Sequence, residues 1–548
     1  MKLPGEHQSV SAYEGETLWN HSAHIVDFVK AVVEDRVLRN DGPEASEMVS
    51  SLRNLVQALE GPASVRGPTP DSGLAKDLAN PPMPPLEAVV AVLRWAKDHE
   101  SNTRIDWISR ILPLQKFTDI CQKVYFAVDD YTEVDFILAN GYLSYVFFEH
   151  VVVSGRRDYG EYCRLCRKNL HSALSRLPLL LPASMEVVAA LTLGTYNAIE
   201  NSQGTTAWTF ISAAANLCQT LGYHRLRSSG ENDRPLRAAQ ERLFWSMYKM
   251  ERGLSHRLGR SSNIHDAEIT LPVGYPGESR QVRLARIQGK VYDQLYSPTG
   301  LSRPGDERGH IAGALAGELR ALIHELNGEI SDAINHPGDV ATDPMRVVYL
   351  RCDLICESSL LCLILRAIPM AANSLGGVLD ECVAAARDAL DIHDQCMRDV
   401  RACKNDSFMV TRYINWAILH CPFVPFSILF TRAVQVLDAT DLARLDRFAA
   451  SLQPDESASP ESSITHPYRL YELLCQAGRL YFDSNATSSL TADPTLLYNL
   501  PDSLGELDFG MEVGTGILDV GGVQGSELSD WYYGNQQIMS LLDENAMF

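Results

Sequence analysis

Between Thr206 and Leu221 the chain is apolar on two helical faces at once: positions 208, 211, 215 and 218 form one set, and 210, 214, 217 and 221 another. A helix apolar along one stripe lies on a core, whereas a helix apolar on two faces lies inside one. The stretch therefore predicts the central helix of a bundle. Gly222 stands just past it, where a left-handed C-cap is expected. After a polar loop, Leu236, Ala239, Leu243, Met247, Met250 and Leu254 recur at helical spacing and predict a second buried helix. Arg242, Trp245, Lys249 and Arg252 run beside that stripe, a pattern that lays long stems on the body and keeps charge near carboxylates or carbonyls.

The same periodicity recurs along most of the chain with few strand signals, which predicts an all-α protein. Helices are expected over 17–36 and 45–59, together an N-terminal helical arm of residues 1–60. Seven prolines between Gly61 and Pro85 then exclude helix or strand interiors, so 61–85 reads as a linker and the arm as flexibly attached. The main body spans 86–482, with helices expected over 86–98, 117–126, 134–152, 162–177, 185–200, 206–221 and 236–254, and further ones over 282–297, 312–336, 347–367, 378–402 and 408–436. Ser184 is a candidate N-cap, with Glu186 in the first turn where the helix dipole favours it. A Ser/Pro-rich break over 453–467 precedes a helix over 468–482.

Composition limits what this body can do. With 45% hydrophobic residues the chain has ample material for a core, but its formal net charge of −21 opposes a DNA-binding surface of any size, since duplex DNA is a dense polyanion. Twelve cysteines without framework spacing, and no apolar run at the start, read as reduced thiols of an intracellular protein. The uncharged run at 413–431 approaches the length of a membrane span but holds Asn415, His420, Pro422 and Pro425, so a buried helix–turn–helix is expected and no membrane contact.

The candidate chemical constellations are sparse. Cys163 and Cys166 form one C-x2-C pair, but the next cysteine is Cys218, and Cys396 and Cys403 lack a preceding pair. Cys352, Cys356 and Cys362 lie within three helical turns, with His393 near Cys396, and have no convergent fourth ligand. All read as small buried hydrophobes, so no metal site is expected. Asp129-Asp130-Tyr131-Thr132-Glu133 could hold magnesium against a diphosphate, and in an all-α protein it resembles the aspartate-rich motif of terpene cyclases. Arg412-Tyr413 is a weaker echo of the same family. The second metal motif is not supplied after Asn405-Asp406, so 129–133 reads better as a loop or a solvated helix start, and terpenoid chemistry stays the alternative. No catalytic residue and no cofactor-binding residue is assigned.

Residues 483–548 contain no Lys or Arg, and string acidic residues among Leu504, Leu507, Phe509, Trp531, Tyr532, Tyr533, Leu541, Leu542 and Phe548. Such a composition predicts a disordered acidic tail whose carboxylates keep bulky apolar residues in solvent, available to a partner's groove. An inert solubilising tail is the plainer reading.

Taken together, Trp208, Leu221-Gly222, His224-Arg225, Arg242, Trp245, Tyr248, Arg252, Ser255, Gly259-Arg260 and Leu271-Pro272 resemble the regulatory domain, or middle homology region, of fungal zinc-cluster transcription factors. Glu251 stands for that family's usual Asp, and Ser261 for its usual Pro. Similarity extends over roughly 86–440, including Cys121–Phe126, Asn140–Leu143, Arg286–Lys290 and Cys421–Phe426. The resemblance implies a non-enzymatic nuclear regulator of metabolic or secondary-metabolite genes, with Trp208, Gly222, His224, Arg225, Arg242, Trp245, Arg252, Gly259 and Arg260 as a structural and regulatory signature. It also implies that the tail meets the transcription machinery or a co-regulator as an activator, and that the chain pairs as a homodimer or heterodimer. Members of that family carry a basic zinc cluster before the arm, which this sequence does not contain. Zinc is therefore expected only with such a cluster, and DNA contact only through a further N-terminal region or a partner.

Overall fold

The computed structural model describes residues 81–126, 131–178, 180–201, 203–225, 234–271, 276–335, 345–369, 378–403, 406–418, 423–453 and 468–490, together with Val29, Ser50, Leu52, Arg53, Leu528 and Tyr532. Among them there are helices and no strands, as the periodicity predicts. In chain order the helices are α1 (Leu86–Asp98), α2 (Thr103–Ser109), α3 (Leu114–Phe126), α4 (Glu133–Ser154), α5 (Gly160–Leu174), α6 (Met185–Glu200), α7 (Gly204–Leu221), α8 (Arg234–Arg257) and α9 (Pro276–Val291). They continue as α10 (Pro298–Leu301), α11 (Gly305–Asn335), α12 (Arg346–Arg366), α13 (Asp380–Arg401), α14 (Asp406–Tyr413), α15 (Phe423–Val436), α16 (Ala439–Ser451) and α17 (Tyr468–Leu490).

Helices adjacent in sequence pack on one another: α4 on α5, α6 on α7, α8 on α9, and α11, α12 and α13 in series. Helix α4 also lies against α3 and α6, and it is buried around its whole circumference from Phe136 to Glu149. It is long and apolar enough to cross a membrane, yet most of it is inside the protein, the state of a central core helix. Helix α6 is likewise buried from Val187 to Glu200. The predicted central helix, α7, instead buries Ala207, Ile211, Ala214, Ala215 and Cys218 and leaves Trp208, Phe210, Leu217 and Leu221 partly exposed. Its second apolar face is thus only half covered, and α4 and α6 take the central position.

Local signals behave as the side chains require. Ser184 caps α6 by accepting from the Val187 N–H at 3.2 Å. Gly222 ends α7 at φ 70°, with Tyr223 N–H donating back to the Cys218 carbonyl at 3.0 Å. Thr132 and Asp135 form a capping box at the start of α4, and Glu133 in that first turn pairs with Arg176 at 2.5 Å. Asp129 and Asp130 of the aspartate string lie outside the described residues. Two short segments of wider π geometry follow α9 and α14, over Tyr292–Tyr296 and Ile414–Ile418. Of the segment expected to be helical over 408–436, helix is described over 406–418 and 423–436. Helices α2, α10 and α16 are additional to those expected.

One continuous apolar cluster joins α1 to α17. Val29 and Leu52 of the N-terminal arm are fully buried in it, so those two residues are seated on the body. Leu528 and Tyr532 of the tail are also helical and buried in the same cluster. The linker at 61–80 and the remaining tail beyond Leu490 lie outside the described residues.

Candidate functional site

The signature residues surround one loop, 258–271, which leaves α8 and crosses the end of α7. Two adjacent residues of α8 hold it. Arg252 donates from Nη2 to the Ile264 carbonyl at 2.7 Å and to Asp266 Oδ1 at 2.8 Å, and Tyr248 donates its hydroxyl to the same oxygen at 2.6 Å. Glu251, fully buried, accepts from the Asn263 N–H at 2.6 Å and from the Ser262 hydroxyl at 2.7 Å. Burial pushes the Glu251 carboxyl upward despite these donors. The loop turns at Gly259, φ 59°, after which Arg260 N–H donates to the Ser255 carbonyl and the Ser255 hydroxyl to the Arg260 carbonyl, at 2.9 and 2.6 Å.

The other signature residues frame this loop. Trp208 lies under the Arg260 guanidinium, 5.8 Å from its ring centroid. His224 is buried and its carbonyl accepts from the Thr270 N–H at 3.1 Å, which ties the loop's exit to the end of α7. Arg225 pairs with Glu268 on the surface. Trp245 is buried, edge-on to Phe244 and Tyr248 at 5.1 and 5.5 Å. Arg242 stands apart: it lines a cleft of about 410 Å³ with Glu100, Asp106 and Arg110 of the α1–α2 region. Thus eight signature residues converge on one loop and its supports, and Arg242 opens onto another face.

A second polar centre lies deeper, where α2, α4, α5, α6, α12 and α14 meet. Arg412 is 3% exposed. Its Nη1 donates to Glu149, its Nη2 to the Tyr196 hydroxyl at 2.7 Å, and its Nε lies 3.3 Å from Glu200. Glu149 also accepts from the Tyr349 hydroxyl at 3.1 Å, and Glu200 pairs with Arg167. The Phe148 ring centroid lies 4.2 Å from the Arg412 guanidinium, and Arg104 covers the Tyr349 ring at the same distance. Desolvation pushes the Glu200 carboxyl upward, but Arg167 and Arg412 outweigh it and hold it below the usual range. The Arg412 guanidinium and two carboxylates are thus withdrawn from water among Tyr145, Tyr196, Trp107 and Trp416, with the half-buried Arg104 and Arg167 beside them.

The sequence reading missed this centre, having taken Arg412-Tyr413 as an echo of terpene cyclases. A signal was present: Glu149 interrupts the apolar run of α4, and Glu200 ends that of α6. A single carboxylate on an otherwise buried helix needs a buried cation. What the sequence could not supply was the cation, which arrives from more than 200 positions away.

The cysteines sit within this packing. Cys163 and Cys166 are buried on α5, where burial raises both thiols, and Cys163 donates to the Ser144 carbonyl at 3.3 Å. Cys352 and Cys396 approach to 3.9 Å between α12 and α13. His393 is buried on α13 between the Tyr413 and Ser451 hydroxyls, 2.6 and 2.7 Å from its two ring nitrogens. Among the described residues no group of three or more His, Cys, Asp or Glu is placed to hold a metal ion. A further cleft of about 380 Å³ opens between α11, α12 and α13, with Ile323, Leu354 and Ile392 as walls and Asn327, Asp388 and Gln395 as polar groups.

The polar residues of both centres tie loops and helices of the body together. Residues 167–282, from α5 into the first turns of α9, match the model of the fungal specific transcription factor domain. A stretch of 118 residues is 30% identical to the negative regulator of pleiotropic drug resistance STB5 of Candida glabrata, covering 19% of this chain and 12% of that protein. The chain therefore spans a small part of the curated relative it matches. No solved structure matches it. The matched region includes the whole signature loop together with Arg167 and Glu200, while Glu149, Tyr349 and Arg412 lie outside it.

Proposed function

We propose that the protein is a nuclear transcriptional regulator whose helical body is the regulatory domain and whose acidic C-terminal segment contacts the transcription machinery or a co-regulator. The observation that carries this is the domain match at 167–282, which falls on the loop that Glu251 and Arg252 brace. A net charge of −21 agrees with DNA contact supplied by a basic region outside these residues or by a partner chain. Metabolic or secondary-metabolite genes are the expected targets, and the relative's name adds drug-response genes as a second class.

The test is a fusion of residues 481–548 to an unrelated DNA-binding domain upstream of a reporter. Activation is expected because carboxylates and bulky apolar residues alternate there without a single cation. A silent reporter removes the activator half of the reading. Transcript levels unchanged after deletion of the gene, with the chain confined to the cytosol, remove the whole of it.

A further inference from the structure

We infer that the acidic tail has a docking seat on its own body, and that in the docked state its aromatic face is withheld from partners; this rests on the reading of the tail as an activation segment. Beyond Leu490 only Leu528 and Tyr532 are described, and both are helical and inside the core cluster, 3% and 1% exposed. They are four residues apart, so they share one face of a helix. Tyr532 stacks on Tyr296 with ring centroids 4.3 Å apart and planes at 24°. Aromatic pairs at that separation add to the burial of their area, which makes the contact more than incidental.

The seat itself is held rigid. Tyr296 closes the π segment after α9, is fully buried, and donates its hydroxyl to the Leu363 carbonyl of α12 at 2.6 Å. Burial pushes the Tyr296 hydroxyl well above its usual range, and two cations oppose that shift, Arg366 at the end of α12 and Arg308 at the start of α11. Arg308 is 1% exposed and donates to the Leu301 and Arg303 carbonyls at 3.3 and 3.1 Å, while no carboxylate pairs with it among the described residues. A guanidinium desolvated in this way is stabilised by a carboxylate brought from elsewhere. The tail carries such groups beside its two buried residues, in Glu527 and Asp530, and has no cation to oppose them. The seat is thus apolar and aromatic at its floor and cationic around it. The sequence around Leu528 and Tyr532 is acidic and aromatic.

Trp531 and Tyr533 flank Tyr532 in the sequence, so the two anchored residues belong to the densest aromatic part of the tail. Docking and partner binding compete for it. A partner that engages the tail must therefore displace Tyr532 from Tyr296, and a change in the body that opens the Tyr296 seat releases the tail.

Hydrogen exchange on the full chain, together with a reporter driven by the full chain fused to an unrelated DNA-binding domain, tests this. Wild-type protein is expected to protect amides around 528–533, and Leu528→Asp or Tyr532→Asp to abolish that protection while the body keeps its far-ultraviolet helix signal. Tyr532→Phe, which keeps the ring, retains it. Glu527→Gln with Asp530→Asn weakens it. Release by Tyr532→Asp is expected to raise reporter output about tenfold, the population change that 1.4 kcal/mol of lost docking gives. Unprotected amides at 528–533 in the wild type overturn the docking. Lost protection with unchanged output, while the 481–548 fusion activates, overturns the competition. A silent 481–548 fusion beside intact protection overturns the activation reading and leaves the docking standing.

Discussion

At the scale of single residues, buried charge decides the outcome of substitution. Arg412 neutralises Glu149 and Glu200 in a place that water does not reach. Arg412→Ala leaves two buried carboxylates short of a cation and is expected to cost about 3–5 kcal/mol of stability, read as a lowered midpoint in urea unfolding. Arg412→Lys keeps the charge but not the fork that reaches Glu149, Tyr196 and Glu200 together, so it should lose less but still measurably. At Gly289 the constraint is space. A Cβ there would lie 2.3 Å from Arg252 Nη1, and Arg252 is itself fixed to Asp266 and the Ile264 carbonyl. Gly289→Ala should therefore destabilise by about 1–3 kcal/mol. Because both changes act through one side chain, the double variant with Arg252→Ala should lose less than the sum of the two single variants. Full additivity would mean that Gly289 does not bear on Arg252.

At the scale of elements, His393 connects three helices: it lies on α13 and bonds Tyr413 of α14 and Ser451 of α16. Burial holds its pKa down, to about 3, and burial likewise lowers His256 at the end of α8 to about 4. Both are neutral in the folded protein at pH values where the unfolded chain, with histidines near 6.5, takes up protons. The unfolded state therefore binds more protons below about pH 6.5, and stability falls as pH drops from there toward those folded values. Each histidine contributes a slope of up to about 1.4 kcal/mol per pH unit in that window. Urea midpoints measured from pH 7 to pH 5 should fall, and His393→Gln should flatten the fall. An unaltered slope in that variant would place the acid sensitivity elsewhere. The elements were largely legible beforehand, because α1, α6 and α13 show plain helical spacing and Ser184 and Gly222 carry the chemistry of caps. The division of 408–436 was legible only in part. Pro422 and Pro425 argue against one uninterrupted helix, whereas the wider turn over Ile414–Ile418 coincides with the long-range contacts of Arg412, Asn415 and Trp416, which no local pattern announces.

At the scale of the whole molecule, the core cluster runs without interruption from α1 to α17 and takes in Val29, Leu52, Leu528 and Tyr532. Ties of long sequence separation cross it, Arg412 to Glu149 and Tyr349 to Glu149 among them. A body connected in this way should unfold as one unit. Near-ultraviolet signals from Trp107 and Trp416, and far-ultraviolet helix signal, should change at one urea concentration and move together in Arg412→Ala. Separate transitions would show that the halves are independent. The domain match occupies 167–282 of this core, so the matched segment is one part of a larger packed body.

By itself the sequence determined the all-α class, the order of the main helices, their caps and the loop signature from Trp208 to Arg260. Each of these depends on spacing or on residues near one another in the chain, and a helix is a local structure whose hydrogen bonds close within four residues. Tertiary structure alone decided that α4 and α6 rather than α7 lie at the centre, that Arg412 serves Glu149 and Glu200, and that Tyr532 rests on Tyr296. Those outcomes depend on which buried group meets which. Composition records that a carboxylate or a tyrosine is present, but its partner is fixed only when distant helices are brought into one core.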